Sequence, residues 1–551
     1  MSIHSKWVAV GLIPSALVLL SAILVQAAES PQKVAAQADK KLRAEVPYAN
    51  AAKAAPARID DERFLRRASL DTIGRLPTPE EVTAFALDPA ADKRAKIVEK
   101  LLASPQFGEN WGRYWRDVIM YRKSEERAQI ISGALESFLT ESFNANKPWS
   151  EIATAFITAS GDARENGACG LIMAQQGQPE ETVAEVSRIF LGVQIQCAQC
   201  HDHPTDRWKR EQFHQLAAFF PRVSARLILQ PDRQDISVAV TDSPPRFMPK
   251  GPMAMRRVGT PEHYMTDPKN PQSRGTLMQP VFFATGEKLP LGTRDAERRG
   301  SLAKWTTAKD NPFFAKAFVN RLWAELTGEG FFEPIDDIGP DRTCTARETL
   351  DYLAGQFAES GYDVKWLFRT IMASELYQLP SSSRRGPEDP PMQHNVAQRL
   401  RGDQLFDNLL VALEASEPQS FAPGGPGGLG ALYGRGRGPR QQFNTAFGYD
   451  PSERRDEIAH SIPQALTMMN SPLIGQALRG SGRTMLARLL GEIQDDKALT
   501  QELYLRVLGR QPSESELATA ARYVKIVGSR TEAFEDLLWG LVNSAEFLHR
   551  T

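Results

Sequence analysis

The sequence predicts a mainly α protein of two helical domains joined by a Pro/Gly-rich segment with a small β element. Three observations lead there. Capping patterns that start helices recur along the chain, and apolar residues repeat at helical spacing. Between 222 and 300 both signals give way to dense prolines and glycines. At 551 residues the chain also exceeds the roughly 250–300 residues that one core supports.

The first 27 residues read as a signal peptide. Lys6 gives a weak positive start, an apolar run spans Trp7 to Val25, and Val25-Gln26-Ala27 offers a cleavage site before Ala28. The alternative is an uncleaved anchor, since the run approaches the ~20 residues of a spanning helix. Gly11 and Pro14 interrupt it, which favours cleavage. The mature chain is therefore expected in the periplasm or outside the cell. Residues 28–58, rich in alanine, lysine and glutamine, read as a linker.

The first helical domain is expected over 59–221. Thr78-Pro79-Glu80-Glu81 is a capping box with proline at the first helical position. Phe107, Trp111, Tyr114, Trp115 and Val118 share one face, whose ordinary role is core packing. Pro179-Glu180-Glu181 opens a helix with Val183, Val186, Phe190 and Val193 on its apolar face, which is expected to deliver Cys197 at its C-terminal end.

The stretch 222–300 reads as an irregular connection, with Pro244-Pro245, Gly251-Pro252 and the β-prone runs 227–229 and 281–283. The second domain, 301–551, begins with Asn311-Pro312 as N-cap and proline, then Phe314, Phe318 and Leu322 on one stripe, with Gly328 as terminator. Thr345 and Glu348 form a further expected capping box. A Gly-rich insert at 423–440 interrupts, and its Arg435, Arg437 and Arg440 read as part of a solvated loop rather than an anion site. A repeat links the two ends. Gly74–Val82 matches Gly509–Leu517, and both lead to a helix closing on a serine with an aromatic residue three positions on, at Ser104/Phe107 and Ser544/Phe547. Ser374 and Tyr377 repeat that closing corner.

Sixty-six basic and 67 acidic side chains leave a net charge of −1, so nothing in the balance calls for nucleic acid as partner. After the signal segment no stretch is apolar enough to span a membrane. The four cysteines are too few for a disulfide scaffold. Cys169 and Cys344 stand alone, and whether they pair is open.

Cys197 and Cys200 belong to the run Cys197-Ala198-Gln199-Cys200-His201. Two thiols at this spacing suit addition to the two vinyl groups of one haem, and the adjacent histidine then lies under the iron as proximal ligand. The leading expectation is haem c on Cys197 and Cys200, with His201 on the iron. Two alternatives stay open: a disulfide between the thiols, or zinc held by Cys197, Cys200, His201 and His203. Under the haem reading, His203 lies beside the iron ligand rather than opposite it. Candidates for the distal side are His214, His263, Met248, Met253, Met255 and Met265.

Several blocks also resemble a known family. Phe64-Leu65-Arg66-Arg67, Gly74–Glu81, Leu101–Trp115 and Phe190–Pro204 resemble a cytochrome-like domain of exported planctomycete proteins. Asn311-Pro312-Phe313, Asn320–Trp323, Gly361-Tyr362-Asp363 and Leu466–Pro472 resemble its usual C-terminal companion. The resemblance implies two domains of unknown function and supports the organisation more than a mechanism.

The leading function is electron transfer by an exported haem protein with an unidentified exported redox partner. One alternative is an exported enzyme acting on polysaccharide or related substrates, with Asp336-Asp337 as the most suggestive carboxylate pair. Another is a non-enzymatic scaffold with a structural metal or disulfide at Cys197. No nucleophile elbow, phosphate loop or H-E-x-x-H run is present, so whether the chain is an enzyme, and with which catalytic residues, stays undecided.

Overall fold

The computed structural model describes residues 29–48, 57–124, 126–230, 233–242, 262–270, 272–383, 390–417, 438–456 and 461–551. The signal-like segment, Met248, Met253, Met255, Arg435, Arg437 and most of the Gly-rich insert lie outside these residues. Among the described residues helices dominate and strands are few and short. No described helix is long and apolar enough to cross a membrane.

The capping chemistry at Thr78 forms as the sequence expects. Thr78 Oγ1 accepts the Glu81 amide at 3.2 Å, and the Glu81 carboxylate accepts the Thr78 amide at 3.1 Å. The helix Pro79–Leu87 follows. At Arg347–Glu359 the cap is different. The amides of Glu348 and Thr349 donate at 2.8 and 2.9 Å to the carboxylate of Glu45, in the helix Pro31–Glu45. Thr345 therefore does not close the expected capping box. A negative charge from 303 residues away in sequence satisfies those free amides instead.

The repeat is a true structural one. The helix Asp61–Ile73 ends at Gly74 (φ 73°) and leads to Pro79–Leu87 and Lys93–Ala103. The helix Asp496–Leu508 ends at Gly509 (φ 67°) and leads to Glu514–Val527 and Arg530–Val542. Both glycines take the left-handed conformation that ends a helix. In the first copy the Arg75 guanidinium ties the corner together, donating to the Leu76 carbonyl (3.0 Å), Glu81 (3.3 Å) and Gln106 (3.0 Å). Arg510 does the same with the Gln511 carbonyl (3.0 Å), Glu516 (2.9 Å) and Glu546 (2.7 Å). The copies touch, with the Gln511 amide on Glu62 at 2.9 Å and Arg66 on the Glu546 carbonyl at 2.6 Å.

Two hydrophobic cores hold the helices. The larger draws on residues from Val34 to Met392, together with Leu505. Its centre is aromatic: Trp115 stacks on Phe318 at 5.8 Å, Trp149 meets Phe318 at 4.5 Å, and Phe318 stacks on Phe357 at 5.3 Å. Helices from both sides of the Pro/Gly-rich stretch thus share this core. The smaller core runs from Leu400 to Phe547 and takes in Leu70 and Leu76 of the first repeat.

The small β element lies where β-prone residues meet the Pro/Gly-rich stretch. Strands β1 (Gly161–Asp162), β2 (Val223–Gln230) and β3 (Arg233–Val240) form one antiparallel sheet in the order β1-β3-β2. The run 227–229 falls within β2, with Leu227 opposite Ile236. Val281 forms an isolated bridge with Lys288.

Candidate functional site

The chain reaches Cys197 through an irregular turn. The helix Pro179–Val186 widens into a π turn at Ser187–Leu191 and stops at Gly192 (φ 63°). Val193 and Ile195 are buried, and a separate 3-10 turn, Gln196–Gln199, carries the first thiol. The helix therefore does not deliver the motif at its C-terminal end. A side chain on Gly192 would press on Ile338 at 2.9 Å, and its left-handed backbone suits glycine.

Buried polar groups fix this approach. Arg188, in the π turn, donates to Glu185 at 2.6 Å, Asp336 at 3.0 Å, Ser452 at 2.9 Å and the Val118 carbonyl at 2.8 Å. Gln194 donates to the other Asp336 oxygen at 2.7 Å, and the Ile338 amide donates to the Gly192 carbonyl at 2.7 Å. Asp336 is itself buried. Burial would raise its carboxyl, but the adjacent Arg188 and Arg321 outweigh that and hold it below the usual carboxylate range. Asp337 turns to Arg342 at 2.7 Å. The two adjacent carboxylates thus serve separate ion pairs and do not converge on a common reacting atom.

Within the motif, Ala198 is buried while Cys197, Cys200 and His201 are exposed. Both thiols are free, as are buried Cys169 and half-buried Cys344. Burial pushes the Cys169 thiol up to about 11, which leaves it protonated and inert at neutral pH. His201 Nδ1 lies 2.7 Å from the Asp202 carbonyl oxygen. A carbonyl can only accept, so Nδ1 carries the proton and Nε2 keeps its lone pair. The Asp202 carboxylate works elsewhere, accepting the Arg210 amide and Lys209 Nζ, both at 3.0 Å.

His203 has the opposite tautomer. Its Nδ1 accepts the Thr205 amide at 3.3 Å, which places the proton on Nε2. Among the described residues, no three His, Cys, Asp or Glu side chains are grouped as a metal site.

Behind the motif lies a pair that sequence reasoning had weighed only as separate distal ligands. His214, on the helix Arg210–Ala217, presents Nε2 to the Gln199 carbonyl at 3.0 Å and Nδ1 to His263 Nε2 at 2.9 Å. The carbonyl fixes the protons: His214 donates from Nε2 and accepts at Nδ1 from His263. His263 Nδ1 then faces Glu180 at 4.0 Å. Both imidazoles are buried, and burial pushes each down to about 4, with the neighbouring imidazole adding to the effect on His214. They are bonded to each other inside the protein, whereas Met265 sits half-buried in the short strand Tyr264–Met265. The placement of His214 beside the apolar stripe of its helix signals a buried imidazole, but nothing local in sequence joins it to His263, 49 residues away.

No curated protein and no solved structure matches the chain. Residues 39–225, which include the Cys197–His201 turn, match the family model PSCyt2, described as a protein of unknown function (DUF1549). Residues 298–427 match PSD1, likewise described as a protein of unknown function (DUF1553), so the chain pairs two domains of unknown function.

Proposed function

We propose that the Cys197–His201 turn is the attachment site of a covalently bound c-type haem, in an exported protein that passes electrons to an exported partner. The observation that carries this reading is the state of His201: Nδ1 is committed to the Asp202 carbonyl and Nε2 has no partner among the described residues, the tautomer of a metal-ligating imidazole with its second nitrogen anchored. The donor set fits. Two exposed, unpaired thiols sit three residues apart, next to that imidazole. When bound, haem would supply one-electron chemistry, with a potential set by its axial ligands and surroundings.

The chain's own residues hold the turn. His214 and Arg210 both donate to the Gln199 carbonyl, at 3.0 and 3.3 Å, while Ala198 anchors the turn in the core. The family name PSCyt2 points the same way. A zinc ion asks for four ligands, and the Nδ1 lone pair of His203 is already engaged.

The test is a denaturing gel stained for haem, run on the full chain exported alongside a cytochrome c maturation system. A stained band that disappears in the Cys197→Ala/Cys200→Ala double variant is expected. An unstained protein containing stoichiometric zinc would replace the reading with a metal site, and an unstained protein with the two thiols linked would replace it with a disulfide.

A further inference from the structure

The helix Ile462–Asn470 turns its apolar side outward. Ile462, Leu466 and Met469 are 77, 50 and 58% exposed, and Pro463 and Ala465 are exposed beside them. At helical spacing these five side chains share one face, with Asn470 as its polar member. The opposite face carries buried Gln464 and Met468. Gln464 fixes the rotation of the helix. Its Oε1 accepts the Arg399 guanidinium at 2.8 Å and the Ser461 amide at 2.9 Å. Arg399 is itself buried, so turning the apolar face inward would leave a buried cation without this partner. An outward apolar face held in place in this way marks an interaction surface.

Its size and charge say what kind. A nine-residue helix is about 14 Å long and about 10 Å wide, so the face covers on the order of 140 Å². A stable protein interface needs roughly 800 Å² per partner. The face also lacks the Trp, Tyr and Arg anchors on which protein interfaces depend. From Ser461 to Thr484 the chain has no acidic residue, and the stretch ends in two exposed arginines, Arg479 and Arg483. Glu535 lies 3.8 Å from Arg479 but gives its other oxygen to the Gly480 amide at 2.6 Å, and the Arg479 side chain stays 69% exposed. A short apolar face followed by cations suits the interface of an anionic bilayer. Shallow insertion there needs neither a matching groove nor a large contact.

We infer that the helix Ile462–Asn470 docks this protein on anionic lipid bilayers, with Ile462, Leu466 and Met469 sunk to the headgroup boundary and Arg479 and Arg483 facing the lipid phosphates. Nine residues are too few to span a bilayer, so the contact is peripheral. The surface is separate from the haem turn, and neither reading depends on the other.

The test is flotation of the exported full chain with vesicles of phosphatidylcholine alone, and of phosphatidylcholine and phosphatidylglycerol in equal parts. The chain should float with the mixed vesicles and more weakly with phosphatidylcholine, and high salt should narrow the difference. Its partitioning should fall at least about tenfold in Ile462→Ser/Leu466→Ser/Met469→Ser. In Arg479→Gln/Arg483→Gln it should fall on the mixed vesicles, by about fivefold for each cation, and hold on phosphatidylcholine. The replaced apolar side chains face solvent, so the thermal midpoint of the triple variant without vesicles should match the parent. No flotation with the mixed vesicles, or undiminished binding in the triple variant, would overturn the inference. So would a lowered midpoint, which means that the chain itself covers the face, or a parent dimer that the triple variant turns into monomers.

Discussion

Gln199 sits between the two cysteines, and its carbonyl is the point where the protein interior grips the motif. His214 reaches it from the core, and His263 backs His214. The pair carries a pH dependence with a definite sign. Both imidazoles are pushed from 6.5 to about 4 in the folded chain, so between those values the unfolded state binds more protons. Stability from this source is complete above about pH 6.5 and is lost as pH falls toward 4, at up to roughly 1.4 kcal/mol per pH unit for each histidine. Glu180 and Arg210 are the charged groups that face the pair. Urea midpoints should fall from pH 7 to pH 5, with a shallower fall in His214→Gln. Equal slopes in the two proteins would contradict the assignment. The cysteine run was legible from spacing alone. The histidine pair was not, because its members lie 49 residues apart and only the fold brings their rings together.

At the scale of elements, local chemistry was legible wherever partners are neighbours in sequence. Thr78 and Glu81 cap each other as their spacing expects, and the Arg75 and Arg510 corners follow from one repeated pattern. It failed where the partner is remote. Glu45, not Thr345, caps the helix Arg347–Glu359. Glu45→Ala should therefore cost about 1 kcal/mol of stability, while Thr345→Ala should stay within about 0.5 kcal/mol. Denaturant titration of the two variants checks this, and the reverse order would restore the local capping box. The π turn is a second such case. Apolar spacing from Val183 to Val193 reads as one continuous helix, but the buried Arg188 with its four partners, and Gly192 against Ile338, end it early. Gly192→Ala combines a left-handed backbone with a 2.9 Å clash, so a loss of about 1–3 kcal/mol is expected by the same titration. A neutral result would mean that the turn relaxes freely.

For the whole molecule, composition and periodicity gave a mainly α chain with two cores, and that is the architecture found. What they could not give is the sharing between its parts. Helices before and after the Pro/Gly-rich stretch meet around Phe318, and Leu70 and Leu76 cross into the smaller core. Asp336 ties these parts together through Arg188, Arg321, Gln194 and Ser452. Removing it would leave buried cations short of a counter-charge, so Asp336→Ala should destabilise by about 3–5 kcal/mol. A loss below 1 kcal/mol in chemical denaturation would refute that role.

The most direct test of the central claim is the intact mass of the purified, exported full chain after extraction with acidified organic solvent, which removes non-covalent haem. The account expects the mass of the polypeptide plus one haem, reverting to the bare polypeptide in Cys197→Ala/Cys200→Ala. A parent chain that shows only the bare polypeptide mass, after maturation conditions that load a control cytochrome, would contradict it.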